Sequence, residues 1–560
     1  MPAPFLPRII SALSLILATA PLNAEPKDTL RILAWEWGPN LNPYLAAQQA
    51  TARASSLVLE PLVGYSPDGK LQLKLADRLP TVANGDVDPD LMHITWTLKP
   101  DLLWSDGTPV TTTDVAFTAR YCMQLKDRCA AWDRFRHVDR VEILDPRRIR
   151  LRFKQRQPNP YRAFVSAQSP VLQRKQFEYC VSSDATSCLV EFNRPIGTGP
   201  YKVVQFTAGA DALFETNPHF RLPLSPSMAK VIYTSGTDPV TAAHSVLLDG
   251  TYDATFQVQT PPQALADLEA QSDGRVMRTR SGYQIRLGFN MANPPLDWPD
   301  SDYANPPAPH PVLTDIRIRE ALVLALPKFT QDDARRHSGA LTCSLLPVEP
   351  LQATCPPRDT DRARMVLDRA GWQPGPDGVR VKDGQPLTLQ IVTTTNALHD
   401  RLASQIAAAW RDIGVATTRR VFFSNMNVPP VEFLHTFVGD VIIFVDGGAV
   451  PDAEELLLKR RCDQHPIRKS PFEYVGDNIL RYCDPKFDRL FKHLTKSAER
   501  QSRADLARKL DRMLIEGFVE IPMFRLTSQM AIGPEIRFAR PNPWDTDLSN
   551  IHHWAKIGRD

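Results

Sequence analysis

Long apolar runs, surplus charge of one sign, metal-type cysteine spacings and nucleophile motifs are all scarce in this sequence, and each scarcity narrows the function. The formal net charge is +3 over 560 residues, from 66 basic and 63 acidic side chains. A nucleic-acid binder gathers positive charge on one face; here the signs are interspersed, which argues against nucleic acid as a partner. No stretch reaches the ~20 apolar residues of a membrane-spanning helix. The cysteines never form C-x-x-C and no Cys/His finger spacing occurs, so neither a zinc site nor any other cofactor is expected. G-x-S-x-G and H-E-x-x-H are missing as well. An exported hydrolase survives as the alternative reading because a spatial carboxylate pair leaves no mark in spacing. The segment IGTGPYK lacks the Lys-Ser/Thr end of a phosphate loop and the third Gly of a dinucleotide fingerprint, which removes a nucleotide site there. No short internal repeat is present.

What is present describes a large exported protein. Hydrophobic residues make up 43% of the chain, ample for about two to four domains. The 50 prolines fall in short punctuations such as NPPLDWPD and NPPAPHPVL, which read as ordered loops. At the N-terminus, MPAPFLPR carries one Arg, IISALSLILATA is a short apolar core, and LNA precedes Glu25. That is the layout of a secretory signal peptide over residues 1–24, cleaved after Ala24. No Cys lies near the cleavage point, so a lipid anchor is not expected. The eight cysteines follow Ala24, and an even set in an oxidising compartment points to disulfides, each worth about 2–4 kcal/mol. In chain order they make four local pairs: Cys122 with Cys129, Cys180 with Cys188, Cys343 with Cys355, and Cys462 with Cys483. Local pairing is one of about 105 connectivities.

The first half reads as strand-turn-strand. TLRILA is a strand, and residues 52–63 carry a helical pattern ending at a hairpin turn on Asp68-Gly69. HITWTLKP alternates Ile94, Trp96 and Leu98 against polar residues, a half-buried strand. In WSDGTPVTTTDVAF, Asp106-Gly107 is a turn, and Thr111 with Asp114 predicts a capping box opening a helix toward Tyr121. VEILDPRRIRLRF pairs two strands across Asp145-Pro146, with an arginine stripe on the second read as a solvated outer face. YKVVQF and its return strand flank a turn at Ala208-Gly209, followed by a strand at KVIYT, a helix in DPVTAAHSVLLDG and a strand in DATFQV. The later half alternates helices and strands, as in βαβ units. IRIREALVLAL is a helix with Ile316, Ala321, Leu322 and Leu324 buried. RARMVLDRA ends at Gly371, LTLQIVTTT is a strand, and HDRLASQIAAAWRDI is a helix ending at Gly414. VFF and DVIIFV are strands, and RADLARKLDRMLIEGF is a helix leading to IPMFRL.

Together these segments resemble the extracellular solute-binding protein family 5, the peptide- and nickel-type receptors of ABC importers. The resemblance is carried in order by LEPLVGYSPDGKLQLKLADRLP, TWTLKPDLLWSDGTPVTTTDVAFTARY, IGTGPYKVVQF with NPHF, IRLGFNMANPPLDWPD, ARMVLDRAGW, GVRVKDGQPLTLQIV, DVIIFVDGGAVPDAEELL and YCDPKFDRLF. It implies an α/β, two-lobed architecture of the periplasmic-binding-protein type II kind with an extra inserted α+β domain. On that plan residues 25–62, 193–286 and 519–560 form lobe I, 63–192 the insertion and 287–518 lobe II. It further implies a monomeric periplasmic receptor that closes on a small solute, foremost an oligopeptide, and delivers it to inner-membrane permease subunits. A sensor or chaperone on the same fold is the other alternative.

Peptide-binding members carry an Asp in a segment like A-D-Y-P-D that holds the ligand's ammonium; aligned on Pro451-Asp452, that place is Ala449 here. Asp446, beside Gly447 and Gly448, either substitutes for it or caps its own strand. Trp35 and Trp37 follow the first strand as cleft-wall or core residues. Asn290 stands at the expected crossing between lobes, and Tyr201 is a weaker contact candidate read first as packing.

Overall fold

The protein is described from a computed structural model covering residues 28–557, apart from 37, 47, 182–187, 226–227, 259, 293–307, 331–338, 349–354, 396, 423–438, 449 and 471–472. The leader segment 1–24, Trp37 and Ala449 therefore lie outside the described residues.

One eleven-stranded sheet runs through most of the molecule. Its strands are β1 (Thr29–Ala34), β2 (Tyr201–Phe206), β3 (Asp211–Thr216), β4 (Lys230–Ser235), β5 (Ala254–Phe256), β6 (Arg275–Phe289), β7 (Gly339–Leu341), β8 (Thr388–Thr394), β9 (Ala416–Phe422), β10 (Val441–Gly447) and β11 (Glu520–Ile532). The spatial order is β9-β8-β10-β6-β11-β5-β1-β4-β3-β2, with β7 paired to β11. At one end β1 lies parallel between β5 and β4, with Thr29–Ala34 facing Lys230–Ser235. At the other, β8 lies parallel between β9 and β10. Both central strands, TLRILA and TLQIVTT, are buried along most of their length on both faces, as strands inside a parallel set are.

Among the described residues, only β6 and β11 join the two parallel sets. At 15 and 13 residues they are far longer than an ordinary strand of about 5–6. Arg275–Arg280 pairs with Thr527–Ile532, and Gln284–Gly288 pairs with Glu520–Arg525; between Arg280 and Gln284 the register breaks. Each half of the pair belongs to a different core. Leu30, Ile32, Tyr201, Phe214, Tyr233, Phe256, Met530 and Trp554 build lobe I. Ile285, Leu287, Leu322, Ile391, Trp410, Ile443 and Phe524 build one face of lobe II, and Ile442, Phe444, Leu457, Phe487, Leu510 and Leu514 the other.

A third core spans Tyr44 to Phe192 and admits Trp544 from the C-terminal segment. Its three-stranded antiparallel sheet has Arg148–Phe153 between His93–Thr97 and Val138–Ile143. The expected helix runs Thr112–Leu125 and opens on the capping box: Thr113 N–H donates to Thr111 Oγ1 and Thr111 N–H to Asp114 Oδ2, at 2.9 Å for the latter. Residues 542–549 fasten this core to lobe I. Asn542 Nδ2 donates to the Tyr65 carbonyl at 2.7 Å, and Asp545 accepts from the backbone N–H of Ala167 and Tyr65.

Several expectations shift. The helix expected over residues 52–63 is Gln49–Ser55, and Val63–Tyr65 is a strand paired with Leu71–Leu73. Pro61 disfavours helix at Glu60, and Leu57 and Val58 instead accept hydrogen bonds from Tyr201 and Gly199. The strand HITWT is buried on both faces, because Arg150 reaches across Thr95 with its Nε 3.3 Å from the hydroxyl. The arginine stripe is an outer face whose charges Glu142 balances, accepting from Arg152 Nε at 2.6 Å. In Ile316–Leu324, Ile316 is exposed and Arg319 is buried instead, its guanidinium donating to the carbonyls of Leu313, Gly517 and Phe518. The Arg side chain thus caps a neighbouring chain reversal that an apolar residue leaves unpaired. All four local cysteine pairs are disulfide-bonded.

Candidate functional site

In an open α/β sheet, ligands lie outside the carboxyl ends of parallel strands. Here the carboxyl ends of β1 and β5 in lobe I and of β10 in lobe II come together where β6 and β11 cross. The end of the β6–β10 ladder there is built from glycine, one step past the Tyr283–Gly447 pair. A Cβ on Gly282 would sit 2.0 Å from the Gly448 carbonyl, and one on Gly447, at φ +154°, would sit 2.2 Å from the Gly282 carbonyl. No other residue fits either place without moving backbone.

On the lobe I side, β1 ends at Trp35 and Glu36. Trp35 is half-buried, and its indole N–H donates to the Gln257 carbonyl at 3.2 Å. Glu36 lies beside Arg53; burial raises its carboxyl above the usual range and Arg53 opposes that. Arg53 is itself buried, 3.4 Å from Asp547 and stacked 5.0 Å over the Phe256 ring. This end of the strand is held by a desolvated guanidinium, which fixes where Trp35 and Glu36 stand.

On the lobe II side, Asp446 ends the apolar strand VIIFV and sits in a cage of cations. Its Oδ1 accepts from the Gly447 N–H at 2.8 Å and from Lys459 Nζ at 3.1 Å. Its Oδ2 accepts from Arg460 Nη2 at 2.7 Å and Arg286 Nη1 at 3.2 Å. Behind it, Glu520 is fully buried and takes Arg460 in a bidentate pair at 2.5 and 2.8 Å. Arg286 closes the ring on Gln284 and the Leu345 carbonyl. Burial alone would lift the Asp446 carboxyl, but Lys459, Arg286 and Arg460 outweigh it and hold it well below the usual carboxylate range. Burial opposed by Arg460 and Arg286 likewise leaves Glu520 lowered. Such a network is a poor source of net stability but a strong constraint on geometry, since removing one partner strands a buried charge.

Tyr283, at the register break, lies within electrostatic reach of Lys459, Glu455 and Asp446, and burial raises its phenol. Across the gap, Arg134 of the third core feels Tyr65, Glu455 and Asp545. A separate cavity of about 1000 Å³ lies between the third core and lobe II, lined by the Asp68-Gly69 hairpin, Leu346–Val348, Pro451–Glu454 and the helix Arg500–Glu516 but by none of the strand-end residues. The hairpin tip at Gly69 abuts Pro451 and Val348, and Asn159 donates to Asp452, so the third core touches lobe II directly.

The sequence-derived candidates divide cleanly by position. Asp446, Gly447, Gly448 and Trp35 stand at the converging strand ends. Asn290 is buried inside lobe II, donating to the Gly439 carbonyl at 2.9 Å and accepting from Ala292 N–H. Tyr201 is buried in lobe I, its hydroxyl donating to the Met228 carbonyl at 2.9 Å. Sequence reasoning missed Arg286, Lys459, Arg460 and Glu520. The signal was there: a charge inside the apolar strands QIRLGF and VEIPMF is out of place unless something pairs it.

The model of the bacterial extracellular solute-binding proteins, family 5, matches residues 70–457. Protein XP55 of Streptomyces lividans is 28% identical over 350 residues, covering 58% of this chain and 57% of that protein, so the match takes in little more than half of its length. The structure of NikZ from Campylobacter jejuni in complex with Ni(L-His) superposes over 95% of this chain and 100% of that one, with a TM-score of 0.67 at 20% identity. The oligopeptide-binding protein AppA from Bacillus subtilis, in complex with a nonapeptide, superposes over 95% and 99%, with a TM-score of 0.62 at 17% identity.

Proposed function

Because the chain belongs to the bacterial extracellular solute-binding proteins, family 5, we propose that it captures an oligopeptide between its lobes and delivers it, unaltered, to an ABC permease. The observation that carries this reading is the pair β6 and β11. Among the described residues two separate cores are joined by only two continuous strands, and the ladder between those strands breaks at Ser281–Tyr283. Breaks in pairing between Arg280 and Gln284 and between Ile285 and Arg286, on the strands that join two cores, suit a hinge of the kind that closes binding proteins on their ligands. Export through the leader segment to the periplasm, and action as a monomer, complete the proposal.

The test is a thermal-shift and mass-spectrometric titration with a mixture of tri- to hexapeptides. A receptor gains a concentration-dependent rise in melting temperature and returns the peptides intact. Cleaved peptides establish the hydrolase instead, and no shift with any peptide ends the peptide reading.

A further inference from the structure

The cation cage around Asp446 has a consequence for the sign of the ligand. Two guanidiniums, Arg286 and Arg460, face two carboxylates, Asp446 and Glu520, and these four charges cancel. All four are at most about a tenth exposed, with side-chain values of 0, 2, 11 and 0%. Asp511 also acts on Arg286 and Glu520, with its oxygens taken by the Ser344 hydroxyl and the Leu345 N–H; the remaining charge is Lys459. It is 28% exposed, and among the described residues only Asp446 Oδ1 receives a hydrogen bond from it. An ammonium has three donors, so two remain for other partners. Asp446 is the reverse case, because each of its oxygens already accepts two hydrogen bonds. A carboxylate so occupied has no lone pair left for an incoming ammonium.

Resting on the receptor reading above, we propose that the lobe II wall binds a ligand carboxylate at Lys459, with Tyr283 beside it, rather than a ligand ammonium at Asp446. Asp446 is a positioning residue: it fixes the lysine's stem and first hydrogen bond so that the free donors point outward. Tyr283 is 40% exposed and lies within electrostatic reach of Lys459, and its phenol is a second donor on this wall. Glu455 and Asp477 also act on this wall, the first through Tyr283 and the second through Lys459. Both are exposed, so solvent and salt screen them more than the buried set.

The test uses three peptide mixtures of identical sequences: unmodified, N-acetylated and C-amidated tri- to hexapeptides, titrated into the full protein by calorimetry. N-acetylation removes the ammonium and amidation removes the carboxylate. We expect acetylated peptides to bind like the parents and amidated peptides to lose roughly tenfold or more, the scale of a charge-assisted hydrogen bond. Lys459→Gln should abolish that difference between mixtures. Binding of amidated but not acetylated peptides overturns the proposal while leaving the receptor reading in place; equal binding of all three also overturns it. Binding of none defeats the receptor's peptide reading and this proposal with it. The comparison between mixtures is made on the unmutated protein, so it stands even where a variant folds poorly.

Discussion

Asp446 and Glu520 show what a single charged group does when its neighbours are fixed. Both carboxyls titrate lower in the folded chain than in the unfolded one. Their stabilisation is therefore complete above the unfolded value of about 4 and is lost as pH falls through and below it. Asp545 and Asp547 have the opposite sign, since burial raises both; their folded-state cost is relieved on acidification. The acid limb of the stability curve is the difference between these sets. Asp446→Asn should flatten that limb, an outcome read from urea midpoints collected between pH 3 and pH 7. Glu520→Gln should cost about 3–5 kcal/mol at neutral pH, because it leaves two guanidiniums sharing one buried carboxylate. A loss under 1 kcal/mol would show that the network relaxes freely.

At the scale of elements, local rules carried the reading a long way. The Thr111–Asp114 box, the Asp68-Gly69 hairpin, the Ala208-Gly209 turn and the short disulfide loops all involve partners close in sequence, so spacing alone exposes them. Thr111→Ala should cost about 1 kcal/mol by denaturant titration. The strand crossing is different. Its tight point is Gly282 against Gly448, one step past the Tyr283–Gly447 pair of the β6–β10 ladder, strands that lie some 160 positions apart in the chain. Gly282→Ala should push Gly448 and Trp544 away at the end of the β6–β10 ladder, and by disturbing the stretch between the lobes it should give a larger radius of gyration by X-ray scattering in the presence of peptide than the parent protein shows. An unchanged radius would place the hinge elsewhere.

For the molecule as a whole, closure and thermal stability are one linkage. A ligand at about 100 times its dissociation constant adds about 2.7 kcal/mol to the folded state, so melting temperature and compaction should rise together along one titration. Asn159→Ala removes the contact between the third core and Asp452; it should weaken binding modestly while leaving the melting temperature of the ligand-free protein in place. If compaction persists without any gain in melting temperature, the two lobes close for a reason other than the ligand.

The order of strands and helices, the capped helix, the hairpins and the family were written into the sequence, because each depends on periodicity, turn chemistry or neighbours a few residues apart. The exposed Ile316 and buried Arg319, and the charge borne by the cleft wall, were decided only by the fold. Arg286 finds Asp446 160 positions away and Glu520 234 positions away, and no local pattern ties such residues to one another. Desolvation acts on whichever charges the chain brings together. Two strands running between two cores therefore set an apparent acidic clamp, Asp446, among three cations, Arg286, Lys459 and Arg460.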